Sequence, residues 1–200
     1  MAMKRMTRWT IGGISLLALC AFLAAAATAD EKAKEPEKTG DVYYARCNLK
    51  LLNGKEITWV NWQAAPTFVP VGTKLNVTKA GDKASLVNVE TKAVYTLDIG
   101  GEGDDLLAKF VTKTPVDLKK FPENIQANIR SAVARVGMTK EQVYIAMGPP
   151  TNLGGERTRN MTYENIMAGE LWVYARKRMG KSIGVAFDPG TGRVNRTEGI

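Results

Sequence analysis

Residues 137–150 read Gly137-Met138-Thr139-Lys140-Glu141-Gln142-Val143-Tyr144-Ile145-Ala146-Met147-Gly148-Pro149-Pro150, a run punctuated at both ends. Thr139 is suited to accept a backbone N–H at a helix start, and Gln142, three residues on, closes a capping box with it. Val143, Ile145, Ala146 and Met147 give that helix its apolar side. Gly148 ends it, and Pro149-Pro150 forbids continuation. Upstream, from Asp117 onward, Ile125, Ile129, Val133 and Val136 recur at helical spacing, with Arg130 and Arg135 on other faces. Gly137 closes this preceding helix, so the spacing predicts a helical hairpin.

Downstream, residues 151–169 are polar and read as irregular. Residues 170–179 then read as a strand, with Leu171, Val173 and Ala175 on one side and Trp172, Tyr174 and Arg176 on the other. Ile183 to Phe187 is a second strand, Asp188-Pro189-Gly190-Thr191-Gly192 a turn, and Arg193 to Arg196 a last short strand. A helix pair followed by an antiparallel meander implies an α+β layer, helices over one face of a three-stranded antiparallel sheet, spanning residues 120–200. The break from the preceding half falls near residues 112–122, where Pro115 and Pro122 bracket a polar stretch.

That preceding half, residues 41–115, reads as β. Strand formers fill residues 42–47, and Leu49 to Leu52 runs into Asn53-Gly54, a strong hairpin-turn signal. Residues 57–62 alternate, with Trp59 and Trp62 on opposite faces, and further short strands are expected at 68–77, 84–89 and 93–99. Strands at this spacing predict a small all-β barrel or sandwich. Gly100-Gly101-Glu102-Gly103-Asp104-Asp105 lacks the Lys-Ser/Thr of a phosphate loop and the ligand spacing of an EF-hand, and is expected to be a surface loop.

At the N-terminus, Lys4, Arg5 and Arg8 precede an apolar run from Ile11 to Ala27, and Ala27-Thr28-Ala29 offers small residues to a signal peptidase. These are the three parts of a secretory signal peptide over residues 1–29, so the mature chain is expected to start at Asp30 and to be periplasmic. An uncleaved anchor is the alternative, and lipidation at Cys20 would follow Leu19 where such signals take a small residue. Residues 30–40, Asp30 to Gly40, are rich in Glu, Lys and Pro with Ala33 the one apolar residue, a composition expected to form a disordered tether.

Charge and composition narrow the chemistry. Loss of the leader takes the net charge from +8 to +5, mildly basic, compatible with anionic lipid and not indicative of nucleic acid. The absence of histidine removes Ser-His-Asp and Cys-His mechanisms and the usual zinc sites. The one cysteine of the mature chain, Cys47, has no internal partner. Glu102, Asp104 and Asp105 are expected to be solvated rather than catalytic, and no cofactor or metal ligand set stands out. The chain is therefore expected to be non-enzymatic.

Gly137-Met138-Thr139 with Gln142-Val143, then Gly148-Pro149-Pro150, Trp172-Val173-Tyr174, Phe187 and Gly192-Arg193-Val194 together resemble the SmpA/OmlA domain, over residues 120–198. That is the fold of the small E subunit of the outer-membrane β-barrel assembly machine. The resemblance implies a helical hairpin on a three-stranded sheet. It also implies a role as an envelope scaffold or outer-membrane protein assembly factor acting through protein contacts. Over a short run, Val69-Pro70-Val71-Gly72-Thr73-Lys74-Leu75 is similar to a bacterial Src-homology-3-type barrel. The same helix-on-sheet unit occurs in β-lactamase-inhibitor-like proteins, so the alternative is a periplasmic inhibitor or sensor that binds an enzyme or cell-wall fragment.

The leading contact residues are Trp172, Tyr174, Arg176, Lys177, Arg178 and Lys181. Four cations fall within six residues with no acid between them, beside two amphipathic aromatics. Alternation leaves two arrangements. Either the aromatics share an outer face with Arg176 and Arg178, facing an envelope protein or anionic lipid, or they are core beneath the helices. Trp59 and Trp62 are secondary candidates for peptide or glycan contact.

Overall fold

The first half pairs its short strands into a curled antiparallel array. The computed structural model describes residues 40–200; the expected leader and the tether up to residue 39 lie outside the described residues. In chain order come β1 (Asp41–Ala45), β2 (Leu49–Leu51), β3 (Glu56–Ile57), β4 (Thr67–Val69), β5 (Lys74–Ala80), β6 (Lys83–Asn88) and β7 (Val94–Asp98). Helix α1 (Gly103–Phe110) and β8 (Val111–Thr112) follow. Six of these strands form a sheet in the order β3-β7-β6-β5-β1-β8, antiparallel except for β3 alongside β7, while β2 and β4 pair as a separate ribbon. Alternation sets the buried face: Leu75 and Val77 of β5 and Ala84 and Leu86 of β6 point inward. Asn53 and Gly54 both take positive φ (50° and 71°), the turn chemistry that their pairing predicts.

The second half holds α2 (Glu123–Arg130), α3 (Lys140–Met147), β9 (Asn152–Leu153), β10 (Glu156–Arg157), α4 (Tyr163–Ala168), β11 (Leu171–Tyr174), β12 (Ile183–Phe187) and β13 (Val194–Glu198). The mixed α+β class expected from the sequence is the class observed. The expected meander is β11-β12-β13, and the short strands β9 and β10 widen it to five in the order β10-β9-β11-β12-β13. Residues 40–200 belong to one compact unit, and the core runs unbroken across residues 112–122.

Several expected elements end early or appear where none was expected. Residues 151–169, expected to be irregular, contain β9, β10 and α4. The glycine-rich segment 100–105, expected to be a loop, is a 3-10 turn leading directly into α1. The helix expected to reach Val136 stops at Arg130, because Ala132 adopts φ 54° and turns the chain; Val136 is left exposed. Gly137 therefore serves a turn at φ 89°, its N–H donating to the Val194 carbonyl, rather than a helix terminus. The strand expected over 57–62 ends at Ile57 because residues 58–61 form a turn, closed by the Asn61 N–H donating to Thr58 O (3.1 Å) with Asn61 at φ 50°, so the parity argument for Trp59 and Trp62 does not apply.

Helix α3 carries the hairpin's contact to the sheet and begins as its sequence specifies. The Thr139 hydroxyl accepts from the Gln142 N–H (3.3 Å), and the Gln142 side chain accepts from the Thr139 N–H (2.9 Å). Its other end is closed by the first half of the chain. The Gly148 N–H donates to Tyr144 O, the Asn48 N–H to Ile145 O, and Asn48 Nδ2 to Ala146 O (3.0 Å). Met147 O accepts from both Asn61 Nδ2 (2.6 Å) and Gln63 Nε2 (3.0 Å). Every carbonyl of the last turn thus has a donor, where a helix end otherwise leaves four orphans. The asparagine oxygens are used as well, Asn48 Oδ1 accepting from the Val71 N–H and Asn61 Oδ1 from the Lys50 N–H.

Two stability predictions arise here. Thr139→Ala removes the cap and should lower stability by roughly 0.5–2 kcal/mol, read as a shift in the denaturant midpoint at unchanged slope. Gly148 lies at φ 76°, ψ −163°, and a Cβ there would stand 2.3 Å from Asn61 Nδ2. Gly148→Ala should therefore destabilise by at least about 1–3 kcal/mol from backbone strain alone; a melt matching wild type would refute that close packing.

Candidate functional site

Trp172 and Tyr174 are core residues. Both are fully buried, while Leu171 points outward at 42% exposure, which decides between the two arrangements that alternation left open. Trp172 packs edge-on against Phe187 (4.8 Å between centroids), Tyr174 (6.5 Å) and Tyr144 of α3 (6.1 Å). The Tyr174 hydroxyl donates to Gly148 O (3.2 Å), just beyond α3. Such aromatic pairs contribute roughly 0.5–1.5 kcal/mol each beyond their buried area. Neither ring is available to a partner or a lipid surface, so Trp172 and Tyr174 are not the contact residues their composition suggests. The physical reason is the short β11: it ends at Tyr174, so the strand parity linking the aromatics to Arg176 and Arg178 does not extend that far.

Arg176, Lys177, Arg178 and Lys181 lie in the exposed segment between β11 and β12. None of the four forms an ion pair with a carboxylate among the described residues. Arg176 Nη1 donates only to the Gly199 carbonyl (3.2 Å). The segment is fixed at its start by residues 63 and 64, whose N–H groups donate to Ala175 O (3.0 Å) and Arg176 O (2.8 Å). That pairing sets Trp62 opposite the cations.

The result is a groove of about 770 Å³. Its apolar lining is Leu51 and Leu52 at the end of β2, Trp62, and Ala64-Ala65-Pro66; Arg176, Lys177 and Arg178 form the opposite wall. An adjoining depression of about 260 Å³ extends the basic surface past Gly180 to Lys181. No carboxylate lines either space. Of the secondary candidates, Trp62 belongs to the groove, whereas Trp59 packs half-buried against the core. The basic run and Trp62 were found from sequence. Leu51, Leu52 and the Ala64-Ala65-Pro66 wall were missed; the one local signal near them was the Asn53-Gly54 turn that follows Leu52 and leads into β3.

The other groups with chemical potential are tied into structure. Glu102 receives Arg159 Nε at 3.0 Å, which holds its carboxyl below the usual range, and Asp104 pairs with Lys79 (2.6 Å). Lys109 is buried and donates to the carbonyls of Thr158 (2.7 Å) and Arg159 (2.5 Å); loss of hydration pushes its pKa down to about 8. Burial pushes the Cys47 thiol up to about 12, with Arg46 acting weakly in the other direction. Among the described residues no group of three or more Cys, Asp or Glu side chains gathers as a metal site would require, and no helix is long and apolar enough to cross a membrane.

No protein-family model, curated protein or solved structure matches this chain.

The thiol gives the sharpest check on this arrangement. A fully buried thiol with a pKa near 12 supplies almost no thiolate at neutral pH. The chain from Asp30 onward, which contains Cys47 alone, should resist a chromogenic disulfide reagent when native and react with one equivalent after denaturation; fast native labelling would contradict the burial.

Proposed function

We propose that this chain is a non-enzymatic module of the cell envelope that acts by holding another protein, as a scaffold or as an assembly factor for outer-membrane proteins. The observation that carries this reading is the groove: a recess with an apolar wall and a wall of cations without carboxylate partners, held at the end of β11 by the backbone bonds of residues 63 and 64. A site of this composition suits the binding of a protein, because it combines apolar area that a partner can desolvate with charge that orients it. Support for the envelope comes from the basic, apolar and small-residue order of residues 1–29, and for assembly from the resemblance of residues 120–198 to the SmpA/OmlA domain.

The test is affinity capture from detergent-solubilised envelopes, with the tagged mature chain compared against an Arg176→Glu/Arg178→Glu double variant. The expected outcome is recovery of barrel-assembly proteins by wild type and their loss from the double variant. Capture of a single soluble enzyme would favour the inhibitor or sensor reading. Identical capture by both forms would remove the groove from the mechanism.

A further inference from the structure

Resting on the reading of the groove as a protein-docking site, we infer that its occupant is an acidic segment of a partner protein carrying an apolar anchor side chain. Charge supplies the first argument. Arg176, Lys177 and Arg178 line one wall and Lys181 continues it, with no acid lining the groove or the adjoining depression. Four cations held together on a short connection repel one another, and carboxylates arriving there relieve that repulsion. The arginine guanidinium presents a planar fork that a carboxylate meets with two parallel hydrogen bonds.

Shape supplies the second. The facing wall is Leu51, Leu52, Trp62 and the small Ala64-Ala65-Pro66 run, which leaves open the space that larger side chains would fill. A volume of about 770 Å³ accommodates an aromatic or leucine anchor with its flanking backbone. Anchors of that kind, set in an apolar recess within a polar rim, supply most of the affinity of a protein contact. The bound segment therefore needs both properties together, with acid on the side of residues 176–178 and an apolar residue toward Trp62.

The geometry favours a peptide over a bilayer. Docking on a membrane needs apolar groups that project from the protein surface. Here the apolar wall is recessed, Trp172 and Tyr174 are in the core, and Met179, at 84% exposure, is the one large apolar side chain that projects from the basic segment.

The experiment is fluorescence anisotropy of a labelled synthetic peptide in which a Phe-Leu pair is flanked by aspartates, titrated with the full mature chain. Binding is expected to be saturable and to weaken as salt rises. It should fall about tenfold or more in Arg176→Glu/Arg178→Glu and in Trp62→Ala. Ala64→Phe, which fills the groove from an exposed position and removes no contact, should produce the same loss and guards against a folding defect in Trp62→Ala. Equal binding of a peptide with lysines for the aspartates, or with serines for Phe-Leu, would overturn the inference. So would sedimentation with phosphatidylglycerol vesicles, absent with phosphatidylcholine, that Ala64→Phe leaves unchanged, since the anion would then be a membrane. A photo-crosslinker at Ala64 separates this inference from the reading beneath it. If it captures a barrel-assembly protein while the acidic peptide fails to bind, the proposed chemistry is overturned and the docking site stands. If it captures nothing and the peptide fails, both are overturned.

Discussion

The last turn of α3 has to end inside the protein, where its carbonyls have no access to water. A buried acceptor without a donor costs about 1–3 kcal/mol, and this turn presents several. Asn48, Asn61 and Gln63, all from the first half of the chain, meet that demand. Much of the local backbone follows from it. Asn61, at positive φ, has its amide between Met147 O and the Asn48 carbonyl, and it closes the turn over residues 58–61 that follows β3. Gly148 must lack a side chain because the Asn61 amide occupies the space. The same turn places Trp62 and Gln63 beside the segment that follows β11, which is how the groove acquires its apolar wall.

The elements most legible in the sequence are those whose signals are local. The capping box at Thr139 and Gln142, the Gly148 stop and the Asn53-Gly54 turn each involve residues within a few positions of one another, and each is where its sequence puts it. Periodicity misled where the backbone turned before the pattern ended. Ile125 and Ile129 continue as a pattern into Val133 and Val136, yet the chain turns at Ala132, and the helix ends before the pattern does. Residues 57–62 alternate as a strand should, but residues 58–61 form a turn there.

The site was half visible for a related reason. A run of cations without intervening acids is a property of sequence, and Arg176, Lys177, Arg178 and Lys181 are exposed together as their spacing implies. What they face is a property of the fold. Leu51, Leu52 and Ala64-Ala65-Pro66 are unremarkable in sequence and become a wall only when residues 63 and 64 pair with residues 175 and 176. The aromatics failed as surface candidates because β11 is short. Buried alternation assigns Trp172 and Tyr174 to the core, and the chain leaves the sheet before parity can carry the arginines to the same side.

The distance along the chain between α3 and its asparagine donors has a kinetic consequence. Asn48 reaches Ala146 across 98 residues and Asn61 reaches Met147 across 86. Contacts of such long sequence separation form late, because the loop entropy of the intervening chain is lost before the bond is gained. In a chain that emerges from a ribosome or a translocation channel N-terminus first, the first-half strands must wait with Asn48 and Asn61 unpaired until α3 arrives. The core therefore cannot be complete before α3 has been made, and the polar side chains that cap it stay unpaired until then.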